Sequence, residues 1–296
     1  MVHRDYVGYG GTPPPIRWPG GAAVAVSLVL NIEDGAERAT ARGDHTDDLG
    51  AHWVRHQVVA GQRNLTLESA FDYGSRAGIW RLLRALREYQ VPATAFCCAE
   101  ALASNPAVAD ALLADCIEIA NHGLRWDTHT DLDRPAQLAK IRASTALIEQ
   151  RTGQRPCCWY SRDGIAPWTY EDLLAEGYQY DSNSFCDDLP YLMQVDDTDL
   201  VVVPYAGDTN DSGLLRLFRT PRAFAAYLCD SLTTLCEDRS PAPWVLSVGL
   251  HPRLIGRPAA IMALRRFLTF ATQRPVWFAT RAEIARYWRE RVAVAA

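Results

Sequence analysis

Ala22-Ala-Val-Ala-Val-Ser-Leu-Val-Leu-Asn31-Ile-Glu33-Asp34-Gly35 is the stretch that decides the fold class. Residues 22–31 are almost all apolar, several are β-branched, and polar residues do not alternate with them. Such a run suits a strand buried on both faces, as strands of parallel sheets are. It stops on two carboxylates and an Asp-Gly pair, which either marks an ordinary surface turn or places acids at the end of a buried strand. Hydrophobic spacing at Ile79, Leu82, Leu83 and Leu86 then predicts a helix over residues 78–89.

The same alternation continues along the chain. Strands are expected over 93–98, 117–120, 156–160, 178–182, 201–203, 244–250 and 276–279. Helices are expected over 105–114, with Asn105 as N-cap, and over 135–152, 169–176, 222–236, 259–273 and 282–287. Strands alternating with helices imply a mainly parallel sheet, and about seven such units suggest a closed or nearly closed barrel. A single domain over 1–296 is expected, with 1–20 as an extension packed on it. The long polar segment 45–63 is a candidate lid.

Composition narrows the function. The 296 residues are 48% hydrophobic and 22% charged, with a formal charge of −5, so neither nucleic acid nor an acidic membrane surface is an expected partner. Residues 1–20 show no basic stretch followed by an apolar one, and the longest apolar run, 22–30, is too short to span a bilayer. A cytoplasmic protein is expected. The eight cysteines include the adjacent pairs Cys97–Cys98 and Cys157–Cys158 but no CxxC, and they read as buried free thiols.

Polar residues gather where strands end: Glu33 and Asp34, then His122, then Tyr160 to Arg162, then His251. In barrels the C-terminal strand ends carry the chemistry. Neighbouring carboxylates in a cleft can be driven apart in pKa, which gives one base and one acid. His251 suits proton transfer near neutrality, or it plugs the barrel end. His122 has Trp126, not a second histidine, four residues later. Arg162, Arg253 and Arg257 can hold a carboxylate or a polarised carbonyl; each also reads as a solvated surface charge, Arg257 above all. The acidic clusters Asp187-Asp188 and Asp208-Thr-Asn210-Asp211 fit turns and caps as well as a ligand.

These segments, in this order, resemble the polysaccharide deacetylase superfamily. The matches are Glu33-Asp34 to its early Asp-Asp, His122-Gly-Leu-Arg-Trp126 to its His-x-x-x-His, and Leu250-His251 to its late Leu-His. The resemblance sharpens to the metal-independent allantoinase and cyclic imide hydrolase branch through Leu30–Arg38, Asp72-Tyr-Gly-Ser-Arg-Ala-Gly78, Asp187-Asp-Leu-Pro-Tyr191, Ser247-Val-Gly-Leu-His251 and Gly256-Arg-Pro258. It implies a distorted (β/α)7 barrel and an amidohydrolase that opens a small cyclic amide. By the resemblance, Glu33 takes the place of the base, Asp34 that of a carboxylate ligand, His122 that of the first histidine ligand and His251 that of the late catalytic histidine. Trp126, Arg162, Tyr73 and Asp188 are expected at the substrate. With Trp126 in place of a ligand, no cofactor is expected; if any metal binds, Asp34 and His122 hold it, zinc or another divalent ion being the alternative. The branch also implies a homo-oligomer. The chain departs from it at Asp34 and Ala36, at Asn121 and at Leu124. The rival readings are a metal-dependent N-deacetylase and a barrel that binds a small ligand without turning it over.

Overall fold

The computed structural model describes residues 4–49, 58–215, 217–238 and 242–295. Among these the strands are β1 (Val24–Ile32), β2 (Thr94–Cys97), β3 (Glu118–Asn121), β4 (Cys158–Trp159), β5 (Tyr180–Asp181), β6 (Tyr191–Val195), β7 (Thr198–Val202), β8 (Trp244–Leu250) and β9 (Val276–Phe278). The helices are α1 (Leu65–Tyr73), α2 (Ile79–Tyr89), α3 (Ala99–Ser104), α4 (Pro106–Ala114), α5 (Arg134–Thr152), α6 (Thr169–Ala175), α7 (Pro221–Glu237), α8 (Pro252–Ile255), α9 (Ile261–Ala271) and α10 (Arg281–Ala295). A single π turn, Gly74–Gly78, joins α1 to α2.

The strands form one curled sheet in the order β6-β7-β5-β4-β3-β2-β1-β8, in which only β6 runs antiparallel. β8 pairs with β1 from Val24 to Leu30. β2 and β9 therefore share the other edge of β1, at Val29–Ile32 and Val24–Val26 respectively. This curled, half-barrel sheet with strands and helices alternating around it is the distorted β/α-barrel fold that the resemblance implies.

Strand alternation explains why β1 is apolar throughout. Val24, Val26, Leu28, Leu30 and Ile32 join the core beneath the outer helices. Ala25 and Val29 face the inner core with Phe96, Tyr205 and Trp288. The inner parity continues through Ser27 and Asn31 to Glu33, whereas Asp34 falls on the outer parity. Two adjacent acids thus leave the strand toward opposite sides.

Several local features differ from the sequence reading. The long loop after β5 contains a hairpin, because β6 and β7 are reversed by Asp196-Asp197, with Asp196 in the left-handed region at φ 51°. Asn105 stands at the N-cap position of α4, but its amide donates instead to Ser75 Oγ at 2.8 Å. α1 and the π turn precede the helix expected over 78–89, in a stretch for which the sequence reading named no element. Part of the candidate lid, residues 50–57, lies outside the described residues. No described helix is long and apolar enough to cross a membrane.

Candidate active site

The C-terminal ends of β1, β3, β4 and β8 surround a cavity of about 860 Å³. Its floor is made of Glu33, His122 and His251, and Asn31, Trp126 and Arg162 stand in its walls. Asp48, Leu49 and Val58, on the described flanks of the candidate lid, also line it.

His122 is held by the sheet itself. Its backbone N–H extends the β2–β3 ladder to Cys97 O at 2.9 Å. Its Nδ1 lies 3.1 Å from the Tyr160 carbonyl, which can only accept, so Nδ1 carries a proton and Nε2 is the working atom. That Nε2 lies 3.2 Å from Glu33 Oε1. On the opposite side His251 Nδ1 lies 2.6 Å from Asp211 Oδ1, which keeps Nδ1 protonated and fixes the ring's orientation, and its Nε2 is 3.4 Å from the same Glu33 oxygen. Both imidazoles therefore aim Nε2 at Glu33 Oε1, while Glu33 Oε2 is bound by Arg253 Nη1 at 2.7 Å.

The charges follow from these contacts. Burial opposes ionisation of Glu33, but the charges of Arg253 and His251 outweigh it and hold the carboxyl well below its usual range. Burial likewise disfavours the His251 imidazolium, yet Glu33 and Asp211 together push its pKa up to about 9. Asp34 is pushed up to about 7 by burial, against the pull of Arg253 and with the repulsion of Glu33 and Glu37. Near neutrality the floor thus holds an ionised Glu33 against a protonated His251, with Asp34 close to its own titration.

Trp126 packs as a platform between two guanidiniums. Arg162 Cζ lies 3.7 Å from its ring centroid and Arg253 Cζ 4.8 Å away. Arg162 also bonds both oxygens of Asp48 and donates to Trp126 O at 3.1 Å. The structure brings Glu33, His122, His251, Trp126 and Arg162 to one cavity.

It places the other three candidates elsewhere. Asp34 sits behind the floor, with its Oδ1 3.2 Å from Arg253 and its Oδ2 against Gly74. Tyr73 lies under the stacked guanidinium of Arg257, its hydroxyl accepting from Arg81 at 2.8 Å, and does not line the cavity. Asp188 lines a smaller cavity of about 210 Å³ beside Asp187 and Asp208. Arg257, read as a solvated charge, is instead spent on Tyr73 and on the Arg253 carbonyl.

Two functional positions escaped the sequence reading. Asp211 was only one member of an acidic loop cluster, yet it orients His251. Arg253 was one of three equivalent arginines, yet it alone is buried against both acids.

The donors present do not fit the divalent ion that the superfamily resemblance implies. Asp34 faces away from the cavity, Trp126 fills the position of one histidine, and a guanidinium already lies between the two carboxylates. Three protein ligands are usual for a catalytic zinc, and among the described residues no group of three or more His, Cys, Asp or Glu is arranged to hold a metal.

Comparison with known proteins agrees with this architecture. Residues 62–176 match the family model described as polysaccharide deacetylase. A Schizosaccharomyces pombe protein named for that family is 30% identical, with 96% of each chain covered. The crystal structure of PuuE allantoinase is 38% identical at a TM-score of 0.92, covering 98% of both chains. That of a Pseudomonas aeruginosa PAO1 protein, again named for the deacetylases, is 40% identical at a TM-score of 0.91, covering 97% of this chain and 98% of the other. This chain belongs to the polysaccharide deacetylase family of C–N bond hydrolases.

Proposed function

We propose that the protein opens a small cyclic amide, a ureide or an imide, by hydrolysis of a ring C–N bond without a metal. The observation that carries the reading is the convergence of two Nε2 atoms, each aimed by the contact its ring's Nδ1 makes, on one oxygen of an ionised Glu33 at the floor of a cavity. The similarity to an allantoinase along nearly the whole chain supports it.

In this reading a water on the cavity side of the Glu33–His122 contact, within reach of both Oε1 and Nε2, attacks the ring carbonyl, and Glu33 Oε1 accepts its proton. His122 Nε2 orients that water. The Arg162 guanidinium, held flat on Trp126, faces the oxyanion that forms. His251, already an imidazolium, gives its Nε2 proton to the ring nitrogen as the C–N bond breaks. The new carboxyl group, which releases the water's second proton to solvent, and the freed nitrogen leave together on one opened chain. The proton on Glu33 then returns to His251 Nε2 across their 3.4 Å contact, which restores the resting state.

The test is turnover of chelator-treated protein on allantoin, hydantoin, dihydrouracil, succinimide and glutarimide. Ring opening of any of these without metal supports the proposal. Activity restricted to N-acetyl substrates, and only after zinc or cobalt is added, would replace it with the deacetylase reading.

A further inference from the structure

We propose that the Arg253 guanidinium is the built-in cation of this active site: it occupies the place between Glu33 and Asp34 and, by doing so, excludes a divalent metal from the chain.

The fold goes to unusual lengths to put Arg253 there. Arg253 lies on α8, a four-residue helix that follows β8 directly and packs against the π turn. That packing is possible only because three residues lack a side chain. A Cβ on Gly74 would lie 1.9 Å from Asp34 Oδ2 and 2.9 Å from the Arg253 backbone nitrogen. One on Gly78 would lie 2.0 Å from Pro252 O, and one on Gly256 2.2 Å from the same oxygen. The Tyr73–Gly78 and Gly256–Pro258 segments, which touch no part of the cavity floor, are thereby explained: they let α8 approach until Nη1 reaches Glu33 Oε2 and Asp34 Oδ1.

The guanidinium is also caged. Its Cζ lies 5.3 Å from the Phe71 ring centroid and 4.8 Å from that of Trp126, and the residue is 1% exposed. A buried ion pair of this kind is costly to form and returns little in stability by itself. Its retention makes sense if the positive charge is needed where it stands, against a carboxylate that has to stay ionised in a dry site. A divalent ion close to either acid would meet a fixed positive charge only a few ångströms away in a poorly screened interior. Trp126 adds a second obstacle, because it removes a donor and walls one side of the guanidinium.

Zinc binding by the full chain tests the proposal, followed by titration calorimetry with zinc chloride and by metal content after dialysis, with circular dichroism to check the fold. Wild type and Trp126→His are expected to take no stoichiometric zinc. Trp126→His combined with Arg253→Gln, which removes the charge but keeps an amide donor for Glu33, is expected to take about one zinc per chain, at least about a hundredfold tighter than Trp126→His. Trp126→His combined with Arg253→Lys keeps a cation and is expected to refuse zinc. Stoichiometric zinc in Trp126→His with Arg253 in place would overturn the proposal, as would equal zinc affinity in the Gln and Lys combinations. Should the Gln combination fail to fold, Trp126→His and the Lys combination decide the matter, since zinc in either contradicts it and refusal by both supports it. The readout is metal stoichiometry, so a failure here leaves the ring-opening reading standing.

Discussion

Asp211 grips His251 twice and Ile255 once. Its Oδ1 lies 2.6 Å from His251 Nδ1, and its Oδ2 accepts the backbone N–H groups of His251 at 2.8 Å and Ile255 at 3.1 Å. One carboxylate thus fixes the ring's orientation and both ends of α8, which carries Arg253. The acid and the buried cation of the site are positioned by the same side chain.

Asp211→Asn keeps the size of the side chain but loses the charge that helps hold His251 protonated. Its pKa is expected to fall toward the ordinary histidine range, and kcat to drop by about 10²–10⁴, the usual contribution of a positioned acid or base. Steady-state kinetics on the ring substrate turned over best would check this. A loss of only a few-fold would mean that Asp211 does no more than cap α8.

The pH dependence of kcat/KM follows from the same pair. His251 works in its protonated form, so activity is lost as pH rises through its pKa, and with that value raised to about 9 the alkaline limb belongs near pH 9. Glu33 works in its charged form and is held well below the usual carboxylate range, so it sets no acid limb near neutrality. An alkaline limb near 6.5 would show that Glu33 and Asp211 do not raise the His251 imidazole above its ordinary range.

Gly78→Ala should be destabilising out of proportion to one methyl group. The added Cβ would meet the Pro252 carbonyl, which is backbone and cannot rotate aside. Overpacking of this kind costs about 1–3 kcal/mol, and here it would also push α8, and Arg253 with it, off the two acids. Denaturant unfolding together with kcat should show both losses. Wild-type stability and turnover would mean that the π turn and α8 can separate freely.

Much of this was legible in the sequence, and the reasons for what was not are physical. β1 declared itself because burial on both faces removes alternation, and the strand ends stood out because polar residues interrupt apolar runs there. Glu33 and Asp34 looked equivalent as neighbours; only strand parity, which sends Asn31 and Glu33 inward, separates their roles. β6 stayed hidden because its turn is made by Asp196-Asp197 without a glycine. The close approaches at Gly74 and Gly78 stayed hidden because a sequence does not show which atoms would meet a Cβ added there. Asp211 lies forty residues from His251 in a loop without periodicity, so nothing local pointed to the pair. Tyr73 and Asp188 belong to segments that fit the family pattern, yet pattern alone does not say whether a residue faces the substrate or supports the scaffold.

Glu33→Gln tests the central claim most directly. The variant keeps the shape of the side chain but can no longer accept a proton from water or return one to His251. With circular dichroism unchanged, kcat for ring opening is expected to fall by about 10²–10⁴. Turnover within a few-fold of wild type would contradict the account, because the atom on which both imidazoles converge would then not be the base.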